Sequence, residues 1–161
     1  MKNIKLFDVS RENEEIREIF FSALESLYSE SNFTLGYQNG PVEELESKLG
    51  KYVGRKYALG VNSGTFALEM ASYALNIKEG DEVIVPVNTF VATASAPALR
   101  GAKIIPADVD LHTYNISLET VQHLVNDNTK AIFGVNMYGN PFPFKDLESL
   151  GVKIVEDAAH S

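Results

Sequence analysis

Two amphipathic stretches open the chain. From about Asn13 to Ser29, the residues Ile16, Ile19, Phe20, Ala23, Leu24 and Leu27 recur at helical spacing, which predicts a helix with one apolar face. Residues 31–40 (SNFTLGYQNG) are rich in Gly, Asn and Ser and predict a loop. Pro41 then stands where a helix takes its first residue. Val42, Leu45, Leu49 and Tyr52 form a second stripe, and Gly54 is placed to stop it. Both stripes are expected to pack into a core.

After Gly54 the rhythm changes. Continuous apolar runs at residues 57–61, 82–85, 103–106, 131–135 and 152–155 alternate with helical segments at 65–75, 89–100, 118–125 and 144–150. Runs without polar alternation suit strands covered on both faces, and the helices between them are long enough for crossovers. Gly101 and Gly151 follow predicted helices as C′ residues, and Ser117 precedes one as an N-cap. The pattern predicts an α/β fold: three layers, with a mostly parallel, doubly wound sheet between helices on both faces. Residues 1–54 read as a helical lead-in with an entrance loop, and residues 55–161 as the sheet domain.

Composition narrows the function. The chain has 161 residues, about one domain or part of a larger one. It is 45% hydrophobic and 22% charged, which excludes a disordered or low-complexity chain. A net charge of -8 argues against nucleic acid as a partner. It leaves room for a local anion site built from backbone N–H groups. With no cysteine, disulfides, thiolate metal sites and thiol nucleophiles are excluded. Scattered histidines give no metal cluster. No signal-peptide h-region and no membrane-length apolar stretch are visible, so a soluble, cytoplasmic protein is expected.

In a sheet of this kind, ligands bind beyond the carboxyl ends of the strands. The run at 57–61 leads into Asn62-Ser63-Gly64-Thr65 and a helix. Small residues there leave N–H groups open at a helix N-terminus, and Ser63 and Thr65 add hydroxyls, so the turn can cradle a phosphate. The plainer reading is that Ser63 or Thr65 caps the helix. The turn is neither a Walker loop nor a GxGxxG turn. Phe90, at the head of the next helix, offers a stacking face for a flat ligand or anchors that helix in the core. Asp157, at the end of the last run, needs a cation or donors. A protonated ring nitrogen would serve, and so would a helix that it caps. His160 can offer a ring N–H, whereas His112 and His123 read as surface residues. Together the three turns suggest one ligand with a phosphate, a flat ring and a basic ring nitrogen. Pyridoxal phosphate (PLP) has all three.

The blocks VNSGTFAL, GDEVIVPVNTFVATA, GAKIIPADVDLHTYNIS, NTKAIFGVNMYGNP and VKIVEDAAHS, in that order, resemble the DegT/DnrJ/StrS family. Upstream, NFTLGYQNGPVEELESKLGKYVG resembles that family's entrance segment, so the resemblance covers nearly the whole chain from Ser31. These are PLP-dependent aminotransferases of fold type I, acting mostly on nucleotide-linked keto-sugars. The resemblance implies that Gly64 and Thr65 hold the cofactor phosphate while Ser63 shapes the turn. It implies that Phe90 stacks on the ring, Asp157 binds the pyridine nitrogen and His160 stands near the phenolic oxygen. Gly36 would lie by the substrate entrance. Also implied are Glu or Gln as amino donor, a homodimer, polysaccharide biosynthesis, and a Schiff-base lysine downstream of EDAA. None of the lysines from Lys2 to Lys153 matches that position. The chain therefore reads as the N-terminal portion of such an enzyme: residues 55–161 are an incomplete PLP-binding domain, the C-terminal domain is absent, and the chain alone is expected to be inactive. The alternatives are a PLP-dependent sugar dehydratase of the same family, and a non-catalytic short paralogue or assembly partner.

Overall fold

The computed structural model describes residues 8–31 and 40–161. The chain divides into two compact units, Met1–Gly60 and Val61–Ser161. Among the described residues, no helix is long and apolar enough to cross a membrane.

The first unit holds α1 (Ser10–Ser29) and α2 (Pro41–Tyr52). Pro41 occupies the first turn of α2, where its missing N–H costs nothing, and Gly54 stops the helix with φ +65°. The apolar stripes do not form the expected core. Ile19 is 73% exposed and Leu45 is 58% exposed, and Ile16, Phe20, Leu24 and Leu49 are exposed too. Periodicity specifies which face of a helix is apolar but not what covers it. Residues 57–61 are not a strand either. The Gly60 N–H donates to Glu46 Oε1 at 2.7 Å instead of joining a ladder, and Tyr57 and Leu59 face solvent. An apolar run becomes a strand only where a neighbouring edge accepts it. Of the 31–40 loop only the ends are described, and Gly36 lies outside the described residues.

The second unit runs α3 (Gly64–Ala74), β1 (Glu82–Pro86), α4 (Val91–Leu99), β2 (Lys103–Ala107), α5 (Leu118–Val121), β3 (Thr129–Val135), α6 (Phe144–Glu148), β4 (Lys153–Asp157). The strands are parallel in the order β2-β1-β3-β4. Every residue of β1 is buried, as its uninterrupted apolar run predicts. Val83 and Val85 face α3 and α4, packing with Leu68, Ile77, Ala92, Ala96 and Phe133. Ile84 faces the other side, with Ile116, Val121, Ile132, Phe142 and Leu147. Each fully buried Ile or Phe contributes about 1.5–3 kcal/mol, so both covers matter. Alanines on α4 let it lie close to the sheet. Gly101 and Gly151 take positive φ after their helices, and Ser117 forms a capping box with Thr120.

From β1 the chain crosses to β2 on one side, then returns to lay β3 on the other. The carboxyl ends of β1 and β3 therefore flank a reversal of strand order. That is where open α/β sheets leave a crevice.

Candidate functional site

The amino end of α3 forms the first wall. Ser63 is extended, and its Oγ accepts the Phe66 N–H at 3.2 Å. The Ser63 carbonyl accepts the Ala67 N–H. Ser63 is thus a helix cap, as the plainer reading held. The cap leaves the Gly64 and Thr65 N–H groups without a partner among the described residues. A Cβ on Gly64 would meet no protein atom within 4 Å, so the protein's own packing does not require glycine there. Two free donors at a positive helix end, beside open space, suit an anion.

Phe90 is the N-cap residue of α4 and is 70% exposed, so it is not the core anchor that its type most often becomes. Asp157 ends β4, in register with Val135 of β3. Its Oδ2 accepts the Thr93 hydroxyl at 2.9 Å and its Oδ1 accepts the Ala159 N–H at 3.2 Å. The desolvation cost expected for this carboxylate is offset by those two donors rather than by a cation.

His160 lies nearly parallel to the Tyr138 ring, with centroids 6.5 Å apart and planes 20° apart. Tyr138 in turn meets Tyr114 edge-to-face at 5.9 Å. Both tyrosines hold left-handed backbone, φ 56° and 58°, which is strained for an aromatic residue. Two buried asparagines hold the turn after β3. Asn115 donates to the Asn140 carbonyl at 2.7 Å and accepts the Met137 N–H, and Asn136 donates to Glu156 and accepts the Phe142 N–H. The sequence reading passed over Asn115, Asn136, Tyr138 and Thr93. Only Asn136 carries a local signal, an asparagine directly after an apolar run, as in GVNMYGN.

The turns converge. Gly64, Thr65 and Leu68 of α3, Thr89, Phe90 and Ala92 at the head of α4, Val135 and Met137 at and just beyond the end of β3, and Asp157, Ala159 and His160 at and just beyond the end of β4 line one cleft of about 240 Å³. It lies at the strand-order reversal. Five of the six sequence candidates line it, and Ser63 instead caps the helix whose end does. No lysine is among the lining residues. Among the described residues no group of His, Asp and Glu is arranged to hold a metal ion, and His112 and His123 lie exposed.

The family model of the DegT/DnrJ/EryC1/StrS aminotransferases matches residues 14–161. The chain belongs to this family. Among curated relatives, the UDP-2-acetamido-2-deoxy-3-oxo-D-glucuronate aminotransferase of Pseudomonas aeruginosa is 34% identical, over 98% of this chain and 44% of its own length. Among solved structures, S. venezuelae DesV in complex with a ketimine intermediate superposes with TM-score 0.91 at 31% identity, covering 99% of this chain and 43% of that one. GDP-4-keto-6-deoxymannose-3-dehydratase with a trapped PLP-glutamate geminal diamine superposes with TM-score 0.82 at 29% identity, covering 98% and 40%. The chain spans less than half the length of these proteins and matches their N-terminal part.

Proposed function

We propose that this chain is the N-terminal, cofactor-holding part of a PLP-dependent aminotransferase that moves an amino group from Glu or Gln to a nucleotide-linked keto-sugar, acting as a homodimer in the cytoplasm. One observation carries the reading: in a DegT-family chain, the free N–H groups of α3, the exposed Phe90 ring and the Asp157 carboxylate line a single cleft. Those groups fit PLP. Gly64 and Thr65 bind its phosphate through backbone N–H groups and the Thr65 hydroxyl, helped by the helix end. Phe90 covers one ring face and keeps water from it. Asp157 holds a proton on the ring nitrogen. His160 donates a ring N–H to an oxygen on the ring's rim. When bound, PLP supplies the electron sink for chemistry at the donor's α-carbon. In this proposal the Schiff-base lysine belongs to sequence downstream of Ser161, and the chain alone does not transaminate. Likeness to the dehydratase favours a second reading, sugar dehydration, which the residue at the lysine position decides.

The test is titration of the chain with pyridoxamine phosphate, followed by amide NMR. The Gly64 and Thr65 resonances are expected to move, and Asp157→Asn to weaken binding roughly tenfold or more, the scale of a lost charged hydrogen bond. Binding that leaves those amides unmoved would overturn the reading.

A further inference from the structure

We propose that Thr93 is a positioning residue, the middle member of a one-way hydrogen-bond relay that runs Thr89 to Thr93 to Asp157 and holds the carboxylate for a ring N–H. The inference rests on the reading of Asp157 given above.

Direction follows from proton counting. A carboxylate only accepts, and a threonine hydroxyl has one proton. Thr93 Oγ1 lies 2.9 Å from Asp157 Oδ2, so its proton is committed there. Thr89 Oγ1 lies 2.8 Å from Thr93 Oγ1, so Thr89 must be the donor in that pair. Thr89, which lines the cleft, is left with lone pairs only to offer a ligand. On the other oxygen, Oδ1 takes the Ala159 N–H. Each carboxylate oxygen thus has one protein donor and one lone pair still open. Rotating the group would break both bonds together, so its plane is fixed before a ligand arrives.

The setting makes the hydroxyl purposeful. Thr93 is fully buried on α4, together with Ala92, Ala96 and Pro97. Valine would fill the same volume without a polar atom to satisfy. A buried hydroxyl is costly unless bonded, and this one is bonded to Asp157, 64 residues away, and to Thr89. Successive hydrogen bonds in one direction polarise each other, which strengthens the bond at the carboxylate end.

The experiment compares the parent chain with Thr93→Val, which keeps volume, and Thr93→Ser, which keeps the hydroxyl. Pyridoxamine phosphate labelled with ¹⁵N in the ring is titrated into each, with inorganic phosphate as a second probe. The parent and Thr93→Ser are expected to bind alike with the same ring ¹⁵N shift. Thr93→Val is expected to bind roughly tenfold more weakly, with the shift moved toward the unprotonated ring, while phosphate affinity stays unchanged. If Thr93→Val binds like the parent with an unmoved shift, or loses phosphate affinity in step, the relay is refuted. If the parent does not bind pyridoxamine phosphate, the functional reading fails, and the relay is judged on the free protein. There the Asp157 side-chain carboxyl ¹³C resonance must move in Thr93→Val and be restored in Thr93→Ser. An unmoved resonance overturns it.

Discussion

Gly134 sits under the Phe142 ring, where a Cβ would come within 2.6 Å of ring carbons. The ring is 4% exposed and packed among Ile84, Ile132 and Leu147, so it has little room to yield. Gly134→Ala is expected to lower stability by about 1–3 kcal/mol in urea denaturation. Adding Phe142→Leu should recover part of that loss, because the two sites share one contact. At the site, Asp157→Asn in a full-length relative carrying this segment should reduce turnover by about two to three decades, as measured by amino-transfer assay with the fold unchanged by circular dichroism. Asp157 was legible in the sequence because an acid at the end of an apolar strand is locally anomalous. Thr93 was not, because a threonine among alanines has no anomaly until its distant partner is known.

Glu82 opens β1 at the end of the sheet opposite the cleft. Its Oε1 accepts Lys103 Nζ and its Oε2 accepts Asn126 Nδ2, both at 2.8 Å, so one side chain ties β1 to β2 and to the turn before β3. The Lys103 hydrogen bond, then that of Asn126, holds this carboxyl below its ordinary range. A lowered folded value means the stabilisation is complete above the ordinary glutamate value of about 4.3 and is lost as pH falls through the folded one. Thermal melting from pH 7 to pH 3 should show the parent losing stability below about pH 4.3. Glu82→Gln should start lower at pH 7 and fall less across that window, with pyridoxamine phosphate affinity at pH 7 unchanged. Asp110 titrates in the same sense, held low by the Thr113 and His112 N–H groups. Element identity was largely readable: Ser117, Gly101 and Gly151 end or start helices where local chemistry requires. The misreading at residues 57–61 came from treating an apolar run as sufficient for a strand.

All cleft-lining residues belong to the second unit, and so do both hydrophobic clusters. A fragment of residues 61–161 is therefore expected to fold, by circular dichroism, and to bind pyridoxamine phosphate as tightly as the whole chain does, by calorimetry. A folded fragment that fails to bind would place part of the site in residues 1–60.

From residue 64 onward, local pattern alone determined the alternation of helices and strands, the caps, and the turns that carry Gly64, Phe90 and Asp157, since each depends on neighbours within a few positions. Tertiary structure decided the strand order. A run buried on both faces reads the same whichever strands lie beside it. Placing β3 against β1 and β4 against β3 is what brings the turn after β1 beside the end of β4. The same pairing brings the Thr93 hydroxyl to Asp157 across 64 residues. Exposure of the α1 stripe belongs with these, because covering an apolar face is a contact between elements and leaves no mark on its periodicity.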